Sequence, residues 1–253
     1  MSKKENNYTA ALLVIGNEIL SGRTQDKNIN FIAKRCEIMG IDLREVRIIE
    51  DNKEEIISNV QNLSKKFYYL FTTGGIGPTH DDKTAEAIAE AFGDKLILNN
   101  KAHDLLKTHY EKSSVVLNES RLKMAYLPSR ADLIKNSVSA APGFRLNNVW
   151  VMAGVPKIMQ AMFLEDVERV LKKGEKTMSQ NITVYLPEGD IAKDLEKVEN
   201  SIKGLEIGSY PFYKPPNIGT VVVCRSKKYD KVKKAIKVLC KTFTEAKIPY
   251  LLD

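Results

Sequence analysis

Short, almost entirely apolar stretches alternate along the chain with stretches whose apolar residues recur every three or four positions. The first kind is typical of strands that are buried on both faces, and the second of helices with one apolar side. The pattern predicts strands over residues 9–15, 41–49, 68–71 and 149–156, and helices over residues 26–39, 54–66, 84–92 and 102–112. Because strands and helices alternate, we predict an α/β fold with a mostly parallel sheet.

A charged segment, Lys172–Lys176, interrupts this pattern. We therefore place a domain boundary there, with a first domain at residues 1–173 and a second at residues 178–253. In the second part, the pattern predicts a strand, a helix, two strands and a helix, in that order. This order indicates a smaller α+β domain.

The strand at residues 68–71 leads into a bend that contains Gly74, Gly75, Gly77 and Pro78. Glycine lets the backbone take a positive φ and approach a ligand closely. Because a helix follows the bend, backbone N–H groups and the positive end of a helix dipole would meet at the C-terminal edge of the sheet, where a phosphate binds favourably. The bend matches neither the dinucleotide pattern nor the P-loop pattern, so it is a weak signal by itself.

Acidic residues lie close to this bend in the expected fold. Asp81 and Asp82 precede the next helix, and Asp51 follows the strand at residues 41–49, at the same sheet edge. Two acids would repel a bare phosphate, so one interpretation is a hard divalent cation that bridges carboxylate and phosphate oxygens. The alternative is that the acids are N-terminal helix caps. The residues alone leave both interpretations open.

Two further turns follow predicted strands. The first, Gly16–Gly22, is expected to be a loop and carries Glu18 and Ser21. It is compatible with a ligand loop and equally with a plain turn that faces water. The second contains Gly154 and Pro156 and leads directly into a helix, which would provide a second backbone cradle.

The composition narrows the class of protein. With 43% hydrophobic and 28% charged residues it is typical of a soluble globular protein, and the first apolar segment is too short for a signal peptide, so we expect a cytoplasmic protein that does not enter a membrane. Cys36, Cys224 and Cys240 lack CxxC spacing, so we predict three small buried residues rather than disulfides or a zinc site. Much of the positive charge behind the net charge of +7 lies beyond residue 172, where lysines of the last predicted helix fall mainly on one side. No aromatic residues for stacking accompany them, so we interpret them as a solvated face and do not expect a nucleic-acid partner.

Several motifs, taken together, resemble one family. They are the segments Gly16–Gly22, Asp51–Asn52, Thr72–Thr84, Ala141–Phe144 and Ala153–Pro156. In this order they resemble the molybdopterin-binding (MoaB/Mog-like) domain family, and more narrowly its CinA-type branch (competence/damage-inducible protein A) and the domain fused to eukaryotic FAD synthases. The resemblance covers about residues 9–172 and is weaker beyond them.

The resemblance implies a three-layer α/β domain with its site at the C-terminal edge of the sheet, followed by a KH-like α+β domain. In the family's molybdopterin adenylyltransferases, the acids that match Asp51 and Asp82 handle the pterin phosphate and the nucleotide. The CinA branch is associated with metal-dependent hydrolysis of ADP-ribose-type pyrophosphates, and the FAD synthase version with hydrolysis of FAD. Full-length CinA also has a C-terminal nicotinamide mononucleotide deamidase domain, which we do not find in this sequence, so we do not expect that activity.

The sequence departs from the family pattern in three places. Ile76 stands where many CinA sequences have leucine, and Asn136–Ser139 replaces their usual Asn-Pro-x-Gly, which would alter the lip of the pocket. Met152–Ala153 replaces the more common Leu-Pro and points toward the FAD synthase-like version.

Three functions remain open at this point. The first is a hydrolase of nucleotide pyrophosphates such as ADP-ribose or FAD, in which Asp51, Asp81 and Asp82 hold Mg²⁺ or Co²⁺, and Asp51 and Asp82 are catalytic. The second is a molybdopterin adenylyltransferase that uses ATP and a pterin. The third is a non-catalytic module that binds a pterin or a nucleotide. We expect a homo-oligomer in each case.

The predicted substrate-binding residues come from all of these turns. Glu18 would position a ribose, and Ser21 and Thr84 would orient phosphate by hydrogen bonds. The full predicted set is Gly16, Glu18, Ser21, Gly22, Asn28, Thr73, Gly74, Gly75, Gly77, Pro78, Thr79, Thr84, Gly154 and Pro156.

Overall fold

The computed structural model describes residues 8–215 and 217–252, and its contacts divide the chain into two units, one that ends at Gly174 and one that begins at Glu175. The strands are β1 (Tyr8–Ile15), β2 (Ile41–Ile49), β3 (Tyr69–Thr73), β4 (Leu96–Leu98), β5 (Tyr126–Pro128), β6 (Asp132–Ile134), β7 (Gly143–Leu146), β8 (Val149–Met152), β9 (Met178–Val184), β10 (Glu206–Lys214), β11 (Asn217–Ser226) and β12 (Tyr250–Leu252). The helices are α1 (Asn17–Leu20), α2 (Asn28–Met39), α3 (Lys53–Lys66), α4 (Thr84–Ala91), α5 (Asn100–Glu111), α6 (Glu119–Leu122), α7 (Pro156–Met162), α8 (Glu168–Val170), α9 (Glu188–Ser201) and α10 (Tyr229–Glu245). A 3-10 turn covers Lys123–Ala125, and a π-helical segment, Phe163–Val167, joins α7 to α8.

A six-stranded sheet forms the centre of the first unit, in the order β2-β1-β3-β8-β7-β6. The strands β2, β1, β3 and β8 run parallel, whereas β7 is antiparallel to both of its neighbours. The predicted α/β class with a mostly parallel sheet is therefore confirmed. The strands β6 and β7 lie in the segment 130–148 and pair antiparallel with each other.

Helices cover both faces of this sheet. Leu13 of β1 packs in one core with side chains of α3, α4 and α5, and its neighbour Leu12 packs in a second core with side chains of α2 and α7. Both leucines are completely buried. Successive residues of a strand point to opposite faces, so this alternation shows the three layers expected from the resemblance.

The strands β1, β3 and β8 end at the same edge of the sheet, and backbone hydrogen bonds hold the following turns in place. The amide of Gly74, after β3, donates to the carbonyl of Met152 in β8 at 3.1 Å. The amide of Gly16, after β1, donates to the carbonyl of Ile49 in β2, also at 3.1 Å. The glycine turns thus lie next to each other at one edge.

The second unit is a four-stranded antiparallel sheet in the order β10-β11-β9-β12. Side chains of α9 and α10 form a core against one face of it, with Ile182, Val222, Leu239 and Phe243 among its buried residues. The predicted smaller α+β domain is confirmed. The edge strand β12 was not predicted, because three residues are too few to show a pattern.

Other local predictions need correction. The segment Gly16–Gly22 is not entirely a loop, since it contains the one-turn helix α1, and the strand expected over residues 149–156 ends at Met152.

Cys36 and Cys224 are buried as predicted, and burial raises the pKa of each thiol to about 12, whereas Cys240 is only partly buried. Within residues 8–215 and 217–252, none of the helices has the length and apolar character that a membrane span requires.

The three-layer arrangement predicts that substitutions on either face of β1 destabilise the first unit to a similar extent. Leu12→Ala and Leu13→Ala should each lower the free energy of unfolding of the first unit by about 2–5 kcal/mol, because each leaves a cavity in a separate core. Trp150, the only tryptophan of the chain, lies in β8 and reports this transition by fluorescence in urea. Val46→Ala, at a partly exposed position of β2, is the control and should cost less than about 1 kcal/mol. A small effect of either leucine substitution would contradict the two-sided burial.

Candidate functional site

A cavity of about 430 Å³ lies at the edge where β1, β3 and β8 end. Three kinds of residue share its lining. The acids are Glu18, Asp51, Asp81 and Asp82, the turn residues are Gly16, Gly74, Gly75, Gly77, Pro78 and Gly154, and the apolar wall includes Ile76, Tyr110, Met124, Val155 and Ile158. The structure thus brings together the acids and the glycine turns that the sequence placed at one sheet edge.

The bend after β3 can be made only with glycine at its first two positions. Gly74 has φ +104° and Gly75 has φ +67°, in the region that side chains disfavour. A Cβ atom on Gly74 would overlap the carbonyl oxygen of Ile15, and one on Gly75 would overlap the hydroxyl of Thr84. The glycines let the backbone of the tight bend take part in lining the cavity.

Thr84 holds the bend from behind. Its side chain is completely buried and donates a hydrogen bond to the carbonyl of Gly74 at 3.1 Å, while its amide donates to the carbonyl of Gly75 at 3.0 Å. The prediction that Thr84 orients phosphate by a hydrogen bond is therefore wrong, because its hydroxyl is committed to the protein backbone. Its role is to fix the shape of the bend.

Asp82 belongs to a turn and not to a helix cap. Its Oδ2 accepts hydrogen bonds from the amide of Thr79 at 2.8 Å and from the hydroxyl of Thr79 at 2.5 Å. Helix α4 begins at Thr84 and has no side-chain cap, which argues against the capping interpretation. The neighbouring Asp81 is exposed, and the Thr79 hydroxyl, its own amide and the charges of His80 and Lys123 lower its pKa.

Asp51 reaches the same cavity from β2. Its Oδ2 accepts a hydrogen bond from the amide of Asn17 at 2.9 Å, while Asn52, not Asp51, caps α3. Partial burial raises the pKa of Asp51, and the negative charges of Glu18, Asp81 and Asp82 raise it further, whereas the Asn17 amide acts in the opposite direction. The acids therefore act electrostatically on one another across the cavity.

The donor atoms suit a hard cation, but not as a ready-made cage. Within the described parts of the chain, no three acidic, histidine or cysteine side chains form a group that could hold a metal ion, so Asp51, Asp81 and Asp82 do not form a closed ligand set. Mg²⁺ is usually held by one or two carboxylates with substrate phosphates and water completing the shell. Asp51 and Asp82, which line one cavity beside the bend, fit that mode. Metal binding itself stays a prediction.

The remaining predicted residues do not line the cavity. Asn28 is buried, and its Nδ2 donates to the carbonyl of Gly154 at 2.8 Å, which fixes the turn after β8. The hydroxyl of the exposed Ser21 donates to the carbonyl of Glu18 at 3.3 Å. The other members of this group are Gly22, Thr73, Thr79 and Pro156.

The sequence did not indicate several residues of the cavity. Tyr110 and Met124 come from helical segments far along the chain, and no local pattern marks them. Asn136 and Ser139 also line the cavity; the Oδ1 of Asn136 accepts from the amides of Val138 and Ser139, so its side chain shapes this loop. Of these residues, only Asn136 and Ser139 had been marked in the sequence, because the segment Asn136–Ser139 departs from the family's usual Asn-Pro-x-Gly.

Comparisons with known proteins cover both units. The profile of a family described as a probable molybdopterin binding domain matches residues 11–173, and the profile of the FAD synthase middle domain matches residues 176–251. A protein of Metallosphaera sedula is 39% identical over 171 residues, which are 66% of this chain and 64% of that protein. The chain thus spans less than two thirds of this relative. A protein of Archaeoglobus fulgidus is 36% identical over 227 residues, 89% of this chain and 94% of that protein.

Among solved structures, the protein CinA with unknown function from Thermoplasma acidophilum is similar to this chain. It is 31% identical, with a TM-score of 0.61, and the match covers 66% of this chain and 99% of the solved chain. The match extends the likeness from sequence to fold.

The geometry of the bend predicts a larger cost of substitution at Gly74 than at a glycine that has positive φ but open space around it. Gly74→Ala should lower the free energy of unfolding by at least about 2 kcal/mol, because backbone strain and overlap with Ile15 act together. Gly93→Ala is the matched control, since Gly93 has φ +59° and open space around it, and only strain of about 1 kcal/mol is expected. Urea unfolding measures both. Equal costs would show that the close approach to β1 is not a constraint.

The partial burial of Asp51, together with its repulsion by the other acids, predicts that Asp51→Asn stabilises the fold at neutral pH. A raised pKa in the folded state means that ionised Asp51 opposes folding, so its favourable contribution exists below the ordinary value of 3.8 and is lost as pH rises through the raised pKa. Asparagine is uncharged and can still accept from the Asn17 amide. Without divalent cations, thermal denaturation should give Asp51→Asn a higher Tm than the wild type at pH 7 and nearly the same Tm near pH 3.

Glu37→Gln, at an exposed position of α2, is the control for this comparison and should show no such pH-dependent difference. A lower Tm for Asp51→Asn at pH 7 would contradict the electrostatic argument.

Proposed function

The chain belongs to the family of probable molybdopterin binding domains, and from this premise we propose that it is a metal-dependent hydrolase of nucleotide pyrophosphates such as ADP-ribose or FAD. One observation carries the proposal: a single cavity combines a glycine-lined bend, four carboxylates and an apolar wall. A nucleotide diphosphate needs these three features, namely backbone groups near its phosphates, ligands for a cation and a surface for a flat ring.

In this proposal the bend contacts the phosphates, and the acids bind the cation. The backbone at Gly75 and Gly77 would contact phosphate oxygens, and Asp51 and Asp82 would hold a divalent cation. A divalent cation, when bound, would neutralise charge on the diphosphate and make a bound water more acidic. Asp51 and Asp82 are the two acids that the reaction would use, since both line the cavity beside the bend.

The apolar wall is the proposed site for the ring. Tyr110, Met124 and Ile158 lie in the same cavity as the acids, so one ligand can contact both. Attack of water on a phosphorus atom breaks the phosphoanhydride bond, and AMP leaves with ribose 5-phosphate from ADP-ribose or with FMN from FAD. The match of residues 176–251 to the FAD synthase middle domain favours the inclusion of FAD among the candidate substrates.

A second candidate function is the adenylylation of molybdopterin. The family match favours it, since the description of that family names molybdopterin as the ligand. The same cavity would place a pterin against the apolar wall and the phosphates of ATP beside the bend. A non-catalytic module that binds a pterin or a nucleotide is the third candidate, and it differs from the others in requiring no turnover.

Hydrolysis by purified protein tests the proposal. With Mg²⁺ or Co²⁺, the wild type should release AMP from ADP-ribose or FAD, and Asp51→Asn and Asp82→Asn should each lower the rate about 100-fold or more, because each removes a charge that the reaction uses. Asp104→Asn, at an exposed position of α5, is the control and should leave the rate unchanged. Full hydrolytic activity in Asp82→Asn would contradict the proposal.

The alternatives give different results with the same variants. An adenylyltransferase would release pyrophosphate only when ATP and molybdopterin are both present. A binding module would bind ADP-ribose or molybdopterin in calorimetry without any product, and the two asparagine variants would leave its affinity unchanged.

A further inference from the structure

Lys123 connects two segments that lie far apart in the sequence. Its Nζ donates hydrogen bonds to the carbonyl of Thr79 at 2.6 Å and to the carbonyl of Asp82 at 2.7 Å. These carbonyls mark the two ends of the turn whose amide and hydroxyl at Thr79 hold the Asp82 carboxylate. The Asp82 amide also donates to the Thr79 carbonyl at 3.3 Å, and the ammonium group adds a bond to the carbonyl at each end of this turn.

The backbone that carries Lys123 is itself well fixed. Lys123 begins a 3-10 turn that ends at the completely buried Ala125, and the carbonyl of Ala125 accepts a hydrogen bond from the amide of Asn99 at 2.9 Å. The next residue, Met124, lines the cavity. The ammonium group is thus held from a rigid segment and not from a free loop.

The turn needs a cation at this point for an electrostatic reason. Asp81 and Asp82 are adjacent, and the two carbonyls at the ends of their turn also present negative partial charge. Hydrogen bonds with a charged donor are about twice as strong as neutral ones, so one lysine can hold two carbonyls where a neutral side chain would hold them weakly. No other contact described for this turn supplies a full positive charge to its carbonyls.

From these contacts we infer that Lys123 is a positioning residue: it closes the Thr79–Asp82 turn and so fixes the Asp82 carboxylate at the cavity. The role as such does not require a ligand, and only its consequence for diphosphate chemistry rests on the proposed function. If Lys123 acts this way, its loss loosens the turn without disturbing the sheet, because Lys123 is exposed and contributes to neither core.

Amide hydrogen exchange of the full chain tests the inference without any ligand. Lys123→Met keeps most of the stem but removes the charge and the donors, and it should speed exchange of the Thr79 and Asp82 amides about tenfold or more. Lys123→Arg should restore slow exchange, since a guanidinium supplies charge and several donors. Lys101→Met, at an exposed position of α5, is the matched control and should change nothing at this turn. Unchanged exchange in Lys123→Met would overturn the inference.

Kinetics with ADP-ribose separate this inference from the proposed function. With Mg²⁺ present, Lys123→Met should lower kcat more than it raises KM, and Lys123→Arg should recover most of the loss. If exchange accelerates in Lys123→Met while the wild type shows no hydrolysis, the positioning role stands and the hydrolase proposal fails. If hydrolysis is normal in Lys123→Met, the Asp82 carboxylate is placed correctly without the hydrogen bonds of Lys123, and the inference fails.

Discussion

The site depends on the close approach of three backbone segments at one edge of the parallel sheet. The amide of Gly74 is hydrogen-bonded to β8, its α-carbon lies against the carbonyl of Ile15 from β1, and a Cβ on Gly154 would lie 3.3 Å from the α-carbon of Gly74. Only glycine allows strand ends to meet this closely. The glycines leave backbone atoms at this part of the cavity lining, and acids from neighbouring turns also line the cavity. Thr84, Asn28 and Lys123 then hold the turns from outside by hydrogen bonds to backbone carbonyls.

The acids around this edge illustrate how a site can oppose folding. Four carboxylates share the lining of one cavity; partial burial raises the pKa of Asp51, and the charges of the other three raise it further. Such an arrangement has no structural benefit of its own, because the repulsion is unfavourable in the empty protein. A ligand that carries a cation would convert this repulsion into binding energy. The electrostatic cost is thus a physical argument for function that does not depend on relatives.

Much of this arrangement could be predicted from the sequence. The strands and helices with strong periodicity, such as β1 and α3, were located within one or two residues. The convergence of Asp51 and Asp82 was predictable as well, because the carboxyl ends of parallel strands meet at one edge whatever the side chains are.

The remaining features depend on tertiary contacts that leave no local pattern. A sequence cannot show on which side of the bend the Thr84 hydroxyl lies. It therefore predicted a hydrogen bond from this hydroxyl to phosphate, whereas the hydroxyl donates to the carbonyl of Gly74. Lys123 and Tyr110 reach the site from helical segments where nothing distinguishes them from surface residues. Residue types predicted that Asp51, Asp81 and Asp82 hold a cation together, but side-chain placement decides whether three acids come close enough to do so.

The central claim is that the bend and the acids grip one diphosphate in one cavity, and amide chemical shifts test it most directly. A methylene-bridged analogue of ADP-ribose, which cannot be hydrolysed at the bridge, is titrated with Mg²⁺ into ¹⁵N-labelled protein. The account predicts that the largest shifts occur at the amides of Gly75, Gly77 and Asp82, with smaller ones near Asp51. Shifts confined to other surfaces, such as the groove along α3 that Ser58 and Gln61 line, would contradict it. The absence of shifts at saturating analogue would contradict it as well.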